Sequence, residues 1–263
     1  MTIEVLLCTT APRLHTVAQV LLPPRPGVRY LVSCQQLDDA AWAAIRPAPG
    51  VYTIEGGSSI RSLRPDVAFL TLPGRGLSRN RNHALAHATG DLLLLADDDE
   101  QLLPDTLDAM PADFAASPQC GILLYEAEGS GKRYPADYVS SWEVALRHEV
   151  ARSVRFDERF GLGSAELACG EEELFVWEAR RRGYGVGRMP RVVCRVEGET
   201  TGRRFLRDPR VQRSKGALLA VMHGPWRALL LCLREAASYS VRYGANPFPL
   251  LRHMLWGIRY VRD

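Results

Sequence analysis

Apolar runs alternate with helical repeats through roughly the first hundred residues of the chain. The β-prone runs Ile3–Cys8, Arg29–Ser33 and Val67–Leu72 predict buried strands. The segments His15–Leu22 and Asp39–Ile45 lie between them and predict helices. Strands that alternate with helices predict an α/β fold, in which helices flank a mostly parallel sheet.

The clearest unit of this kind begins at Ser78, a preferred N-cap residue. Helical spacing follows as far as Gly90, where a glycine is expected to end the helix. Leu92–Ala96 comes next and predicts a buried strand, because it is almost purely apolar. Pro104 then suits the first position of another helix.

The alternation loosens after Ala112. Gly121–Ala127 and Val192–Val196 predict further strands in this half of the chain. Glu171–Arg182 carries acids at its start and bases at its end, so it predicts a helix, which Gly183 terminates.

Residues 203–263 differ from the rest of the chain in charge. They hold 12 of its 33 Lys and Arg residues but only 3 of its 30 Asp and Glu residues. Apolar positions recur at helical spacing, which predicts amphipathic helices with basic flanks, divided at Pro247 and Pro249. Either these apolar faces pack on the rest of the chain or on a second subunit, as in a homodimer, or they lie on an anionic membrane leaflet.

Length and composition fit an ordinary soluble domain. The first residues carry an acid and no positive charge, so we expect no secretory signal, and no apolar run is long enough to cross a bilayer. The six cysteines lie far apart and form no C-x-x-C pair. This spacing argues against zinc and predicts free thiols in a cytoplasmic protein.

Four consecutive acids, Asp97–Glu100, follow the predicted strand Leu92–Ala96. Like charges at a partly desolvated strand end repel one another, and a divalent cation such as Mn²⁺ or Mg²⁺ would offset that repulsion. Ligands of parallel α/β sheets also bind outside the carboxyl ends of the strands. The alternative is a solvated acidic turn before the helix that Pro104 begins.

A basic segment precedes the same strand. Residues 76–82, Gly-Leu-Ser-Arg-Asn-Arg-Asn, place the guanidinium groups of Arg79 and Arg81 at the start of a helix. Guanidinium groups and free backbone N–H groups at a helix start bind phosphate well. A solvated helix face is the alternative for these two arginines.

Together these segments resemble the family 2 glycosyltransferases of bacterial surface-polysaccharide synthesis. The first matching block comprises residues 76–85, Ala-Thr-Gly-Asp at 88–91, Leu-Ala-Asp-Asp-Asp-Glu at 95–100, and Pro104. A second block comprises Phe156–Gly163 followed by Gly170-Glu171-Glu172. A weaker third block is Glu199-Thr200-Thr201-Gly202.

The resemblance implies a GT-A (Rossmann-like) fold and a hexosyltransferase-type activity, with Mn²⁺ or Mg²⁺ as cofactor. It assigns the metal to Asp99 with help from Asp97, and the catalytic base to Glu172 or its neighbour Glu171. Nucleotide-sugar binding falls to Thr9, Thr10, Gln35, Arg79, Arg81, Asn82, Asp97, Asp98 and Arg195. Gln35 stands where relatives often have an Asp, and Arg195 where many have a His.

The resemblance also implies partners and an organisation of the chain. We expect a catalytic domain over residues 1–202, with a nucleotide-sugar half to about residue 110, and a helical C-terminal segment over 203–263. The donor is a nucleotide sugar, with a UDP-sugar favoured, and the acceptor is a saccharide or a lipid-linked saccharide. The C-terminal segment would then give peripheral contact with the inner face of the plasma membrane.

Three other classes of protein are alternatives to a family 2 glycosyltransferase. A nucleotidyltransferase usually has a glycine-rich loop after the first strand, and residues 8–13 contain no glycine. A binding module without activity would fit a decayed site, but the acids at 97, 99 and 172 are intact. Nucleic-acid binding through the basic tail would leave the acidic strand end unexplained, so no nucleic-acid partner is expected.

Overall fold

The computed structural model describes residues 1–35, 40, 45–55, 59–128, 139–196 and 201–262. Most of the helix predicted at Asp39–Ile45 lies outside these ranges, as do Glu199 and Thr200 of the third block. Contacts within the chain define two compact units. The first comprises residues 1–75, 79–156 and 178–198, and the second comprises residues 76–78, 157–177 and 199–263.

The first unit is built on an eight-stranded sheet. Its strands are β1 (Ile3–Thr10), β2 (Val28–Gln35), β5 (Val67–Leu72), β6 (Leu92–Asp97), β7 (Glu100–Leu102), β8 (Cys120–Glu128), β9 (Val144–Arg147) and β10 (Gly185–Val196). Their order in the sheet is β5-β2-β1-β6-β9-β8-β10-β7. The pairs β1–β2, β1–β6, β2–β5 and β8–β10 are parallel, whereas β6–β9, β8–β9 and β7–β10 are antiparallel. β3 (Tyr52–Glu55) and β4 (Ser59–Ser62) form a separate antiparallel pair.

Helices connect the strands, as the alternation predicted. They are α1 (Val17–Val20), α2 (Leu77–His87), α3 (Pro104–Ala116), α4 (His148–Ser153) and α5 (Glu171–Arg181), with 3-10 turns at Ala11–Thr16, Ser141–Glu143 and Thr201–Arg204. The helix predicted over His15–Leu22 is therefore wrong in extent, because His15 and Thr16 belong to a 3-10 turn and the α-helix covers only Val17–Val20. Gly183 has a positive φ of 88° just after α5, which confirms its predicted role as the helix end.

The core of the first unit lies between the central strands and α3. Leu7 is paired with Val32 on one side and with Ala96 on the other, and all three side chains are buried. Met110 and Phe114 of α3 belong to the same apolar cluster. Because side chains alternate along a strand, this register sends every second residue of β1, β2 and β6 into that cluster.

Gly90 does not end α2 in the predicted way. The helix stops at His87, and Gly90 does not adopt a positive φ. A Cβ at Gly90 would instead lie 2.7 Å from the Cβ of Glu4. The buried Glu4 carboxylate accepts hydrogen bonds from the backbone N–H of Thr89 (2.5 Å) and of Gly90 (3.0 Å). The glycine is needed for close packing on β1.

Three helices dominate the second unit, α6 (Pro209–His223), α7 (Pro225–Tyr243) and α8 (Pro247–Tyr260). The amphipathic helices predicted for the C-terminal segment are present, but Pro249 was wrongly predicted to divide them, since it lies in the first turn of α8. The division falls at Gly244, which has a left-handed conformation (φ 65°). In the described part of the chain no helix combines the length and the apolar character needed to cross a membrane.

Two glycines bring α6 and α8 into backbone contact. A Cβ on Gly216 would lie 1.9 Å from the carbonyl oxygen of Met254, and one on Gly257 would lie 2.0 Å from that of Arg213. No real side chain tolerates such distances, so only glycine allows the two helices to cross this closely. Met254, fully buried, lies in the apolar cluster that the three helices share.

All six cysteines are free, as predicted. Five of them are buried and Cys169 is half-buried. Burial raises the pKa of Cys8 and of Cys34 to about 12, and that of Cys232 to about 11.

We predict that Gly216→Ala lowers the free energy of unfolding by at least about 3 kcal/mol, because the added methyl group forces α6 and α8 apart. Gly244→Ala is the matched control, since a Cβ there meets open space and adds only the strain of a left-handed residue, about 1 kcal/mol. Denaturant unfolding of the two variants measures the difference. Equal losses would contradict the backbone contact.

Candidate active site

The carboxyl ends of β2, β1 and β6 meet at one edge of the sheet. Cys8 of β1 is paired with Ser33 of β2 and with Asp97 of β6, so the residues that follow each of these positions lie side by side. Parallel strands place their carboxyl ends at the same edge, where α/β proteins bind ligands. The predicted residues Thr9, Thr10, Gln35 and Asp97 are brought together at this edge.

Asp98 is held inside the protein by two other residues of this edge. The hydroxyl of Thr9 donates to Oδ2 of Asp98 at 2.5 Å. Nε of Arg13 donates to Oδ1 at 2.9 Å, and Nη2 of Arg13 donates to the same oxygen at 2.6 Å. Only about a tenth of the Asp98 side chain is exposed. Sequence reasoning missed Arg13, because nothing in the local pattern shows that it reaches across 85 residues to the acid cluster.

Asp97 is braced from three sides. Nη2 of Arg81 donates to its Oδ1 at 3.1 Å, and the hydroxyl of Ser141 donates to its Oδ2 at 2.6 Å. Its backbone N–H donates to Oε1 of Glu100 at 2.9 Å. Arg81 is buried and its guanidinium carbon lies 5.5 Å from the ring centroid of Phe156. Arg81 was predicted to contact phosphate, and its hydrogen bond to Asp97 places it beside the acid cluster.

Asp99 is the member of the cluster that faces solvent. Its side chain is 62% exposed, and the ion pair to Nη2 of Arg13 is long, at 3.4 Å. Partial burial, followed by the negative charges of Asp97 and Asp98, raises the pKa of Asp99. A cation beside these carboxylates would relieve that repulsion.

The acids as a group fit a hard divalent cation, which binds oxygen ligands. The described residues contain no cluster of three or more His, Cys, Asp or Glu side chains that could hold a metal by themselves. One or two carboxylates are sufficient for Mg²⁺ or Mn²⁺ when substrate phosphates and water complete the coordination. Asp99, with Asp97 beside it, therefore suits a metal that arrives with a phosphorylated ligand.

Glu100, the last acid of the motif, is buried and forms a hydrogen bond within the turn. Its Oε1 accepts the hydrogen bond from the backbone N–H of Asp97. Burial, and then the charge of Asp97, raises the pKa of Glu100 well above its ordinary value. In the sheet, Glu100 of β7 is paired with Val196 of β10. Glu100 therefore fixes the turn that presents Asp98 and Asp99.

Asn80 joins the strand ends to α2, and sequence reasoning passed over it in favour of Asn82. Nδ2 of Asn80 donates to the carbonyl oxygens of Thr9 (3.2 Å) and Ser33 (2.9 Å), and the hydroxyl of Ser33 donates to its Oδ1 at 2.7 Å. The side chain is fully buried. A signal was present, because Asn80 shares the inward face of the helix with Ala84, four residues later.

Four other predicted residues differ in their burial and their partners. Asn82 exchanges two hydrogen bonds with the backbone of Phe156, at 2.9 and 2.8 Å. Arg79 is exposed at the start of α2. Arg195 forms an exposed ion pair with Glu128, at 2.6 Å. Gln35 is buried at the end of β2, and its Oε1 has no hydrogen-bond partner among the described residues.

The second unit contains the predicted base. Glu171 is buried at the start of α5, whereas Glu172 is half-buried. A Cβ on Gly161, whose φ is 102°, would lie 2.9 Å from both Oε1 of Glu171 and Oγ of Ser78. Only glycine fits this position. Gly161 is thus the residue of the second block that lets Glu171 approach the backbone.

Ser78 does not act as the predicted N-cap. It lies inside the first turn of α2, and its hydroxyl donates to the carbonyl oxygen of Phe160 at 2.6 Å. The backbone N–H of Leu77 donates to the carbonyl oxygen of Leu162 at 2.8 Å. The start of α2 is therefore tied to the Phe156–Gly163 block, which explains why both segments carry a motif.

The family model described as glycosyl transferase family 2 matches residues 54–165, a range that includes the acid cluster and most of the second block. The resemblance predicted from the motifs is thereby confirmed. No curated protein matches the chain.

Several solved structures share this fold. S. aureus TarS 1-349 has a TM-score of 0.56 at 13% identity, with 100% of this chain and 91% of that chain covered. A mannosyltransferase of Pyrobaculum calidifontis has a TM-score of 0.57 at 16% identity, covering 99% and 86%. Glucosyl-3-phosphoglycerate synthase of Mycobacterium tuberculosis has a TM-score of 0.56 at 14% identity, covering 84% and 78%. The predicted GT-A fold is confirmed.

We predict that Asn80→Asp lowers the free energy of unfolding by about 1–3 kcal/mol, because a carboxylate cannot donate to the two buried carbonyl groups. Ser33→Ala removes the hydroxyl that donates to Asn80 and lies 3.1 Å from Nδ1 of His83, and leaves both carbonyl groups paired with Asn80, so its expected loss is smaller, about 1 kcal/mol. Chemical denaturation of both variants tests this order. A larger loss for Ser33→Ala would show that Asn80 is not the central member of the network.

Proposed function

We propose that the chain is a metal-dependent glycosyltransferase, which moves a sugar from a nucleoside-diphosphate sugar to an acceptor hydroxyl with inversion at the anomeric carbon. The observation that carries this proposal is the end of β6. There Asp97 and Asp98 are anchored by guanidinium groups, while Asp99 faces solvent. The family 2 match covers the same residues.

The similar solved structures support the class of donor. TarS was solved with UDP-GlcNAc, and the Pyrobaculum mannosyltransferase with GDP-Man and Mn²⁺. The Mycobacterium synthase was solved with Mn²⁺, UDP and phosphoglyceric acid. A nucleoside-diphosphate sugar is the chemistry that these ligands share. Within this class we propose a UDP-sugar as the donor.

Asp99, with help from Asp97, would hold the Mn²⁺ or Mg²⁺ ion. When bound, the ion would supply Lewis-acid stabilisation of the diphosphate leaving group. Arg81 and Arg13 keep Asp97 and Asp98 in place. Because the acids are positioned before ligand binds, little reorganisation is needed at the moment of reaction. The exposed guanidinium of Arg79 would add positive charge beside the diphosphate.

The nucleotide would lie along the carboxyl ends of β1 and β2. Thr9 and Thr10 end β1, and the buried Oε1 of Gln35 at the end of β2 needs a donor. An N–H group of the nucleobase would supply that hydrogen bond. Asn82 would act by holding the Phe156 backbone, and Arg195 would reach the diphosphate only after releasing Glu128.

Glu172 would take the proton from the acceptor hydroxyl, as a general base. Its half-buried position at the start of α5 leaves part of the side chain open to an acceptor. Glu171 is buried beside Gly161 and would position the start of the helix. The acceptor would be a saccharide or a lipid-linked saccharide in polysaccharide or glycoconjugate synthesis.

A nucleotidyltransferase and a nucleotide-sugar-binding module without activity are the alternatives. A thermal-shift screen of nucleotide sugars, with and without Mn²⁺, identifies the donor. Incubation of that donor with candidate acceptors then separates the classes. Release of a nucleoside diphosphate supports glycosyl transfer, release of a sugar 1-phosphate supports nucleotidyl transfer, and binding without turnover supports the module.

We predict that Asp99→Ala abolishes Mn²⁺-dependent donor binding and leaves the free energy of unfolding unchanged or slightly higher. Removal of one of several repelling carboxylates relaxes the ligand-free protein. Asp105→Ala, which removes an exposed carboxylate from the first turn of α3, is the matched control. Calorimetry with donor and Mn²⁺ measures both variants, and unchanged affinity in Asp99→Ala would remove Asp99 from the metal site.

We predict that Glu172→Gln keeps near-normal donor binding and loses turnover by at least about a hundredfold, since an amide cannot accept the proton. Glu171→Gln and Glu173→Gln remove equal charge from the same helix start. Steady-state kinetics of the three variants assigns the base. If only Glu171→Gln loses turnover, the base is Glu171.

A further inference from the structure

An open groove of about 520 Å³ runs along α6 and α8 in the second unit. Its lining is strongly basic and aromatic, and comprises Arg213, Arg252, His253, Leu255, Trp256 and Arg259. The groove contains three guanidinium groups and no carboxylate among its lining residues. Neither the metal site nor the base uses any of these side chains.

The walls of the groove are rigidly placed. Gly257 of α8 packs on the carbonyl oxygen of Arg213, so the two helices meet directly beneath it. The guanidinium carbon of Arg213 lies 4.4 Å from the ring centroid of Trp256, and Nη1 of Arg213 also forms an ion pair with Glu166. Arg213 is thus partly neutralised and fixed on the indole ring.

Arg252 and Arg259 carry the uncompensated charge. Both are exposed, one on each side of Trp256 along α8, and neither has an acidic partner within the described residues. They lie two turns apart on one face of the helix. Two guanidinium groups that have no acidic partner among the described residues lie beside a third, and together they attract an anion with several acceptor oxygens.

Both ring nitrogens of His253 have a partner in or beside the same groove, since Nε2 lies 3.5 Å from Nη2 of Arg252. Nε2 of Gln212 donates to the carbonyl oxygen of Phe205 at 2.7 Å, which leaves Oε1 of Gln212 to accept from Nδ1–H of His253 at 2.6 Å. Burial, then the charges of Arg252 and Arg213, lowers the pKa of His253. An anion in the groove would offset those charges, so this imidazole reports on anion binding.

We propose that the groove of Arg213, Arg252, His253, Trp256 and Arg259 binds a phosphoryl group. Arg252 and Arg259 are the direct donors, and Arg213 with Trp256 forms the floor. This site is independent of the proposed transferase activity, because phosphoryl binding here requires neither the sugar donor nor the sugar acceptor. The phosphoryl group belongs either to a lipid headgroup or to a free phosphate.

The neighbouring surface distinguishes these two sources. A second depression of about 370 Å³ has an apolar lining that includes Leu233, Val241, Phe248 and Leu251. Phe248 is 78% exposed and precedes Arg252 by one turn of α8. A phosphoryl group that carries acyl chains would occupy both depressions, whereas free phosphate would occupy only the basic groove.

The test follows the His253 imidazole by NMR while inorganic phosphate is added to the full chain at constant ionic strength. We expect a saturable shift and a rise in the pKa of His253, and His253→Gln assigns the signal. The double variant Arg252→Gln/Arg259→Gln should weaken phosphate binding by at least about tenfold. Arg227→Gln/Arg234→Gln on α7 removes the same charge outside the groove and should stay within about twofold.

Binding to phospholipid vesicles then identifies the source of the phosphoryl group. If phosphatidylglycerol vesicles retain the protein, phosphatidylcholine vesicles do not, and only the groove variant is released, the ligand is a lipid headgroup. If phosphate binds but neither vesicle does, the ligand is a free phosphorylated molecule. Absence of a saturable shift, or equal weakening of phosphate binding in the two double variants, would overturn the proposal. Circular dichroism confirms that each variant is folded.

Discussion

Negative charge at the end of a buried strand is the constraint on which the first unit depends. Four acids lie at the end of β6, at one edge of the sheet, and each has a different environment. Asp97 and Asp98 receive guanidinium partners, and Glu100 is buried with a raised pKa. Only Asp99 is left to solvent. The protein thereby fixes three carboxyl groups so that one remains available to a ligand.

The residues that hold the acids in place come from distant parts of the chain. Arg13 follows β1, Arg81 lies in α2, and Ser141 precedes β9. Each contributes one hydrogen-bonding group to the same turn, so the strands and helices that carry them must be in register before the acids are neutralised. The sheet supplies that register, since β1 is paired with both β2 and β6.

Local pattern predicted the parallel half of the fold well. The apolar runs became β1, β2, β5 and β6, because strands buried on both faces are apolar throughout. β9 escaped prediction, since a four-residue strand inserted antiparallel between β6 and β8 leaves no periodicity of its own. The contacts of Gly216 with Met254 and of Gly257 with Arg213 are equally invisible, because they depend on where two helices cross.

The acid cluster was predicted from the motif, but the roles of its neighbours were not. Arg81 and Arg79 are the same residue type and lie two positions apart, but they differ in burial. Arg81 is buried and holds Asp97 in place, whereas Arg79 is exposed. Ser78 and Asn80 are polar residues that a sequence pattern assigns to a cap and a helix face. Their partners, Phe160, Thr9 and Ser33, are distant backbone and side-chain groups that no local window contains.

The Asn80 network also sets an order of assembly. Its amide bridges carbonyl groups that lie 71 and 47 residues away in the chain, so it forms only after β1 and β2 have paired. Contacts of such long sequence separation cost loop entropy before they return any stabilisation, and they form late. We expect the start of α2 to become ordered after that pairing, so that the ligand edge is completed only once the sheet has formed.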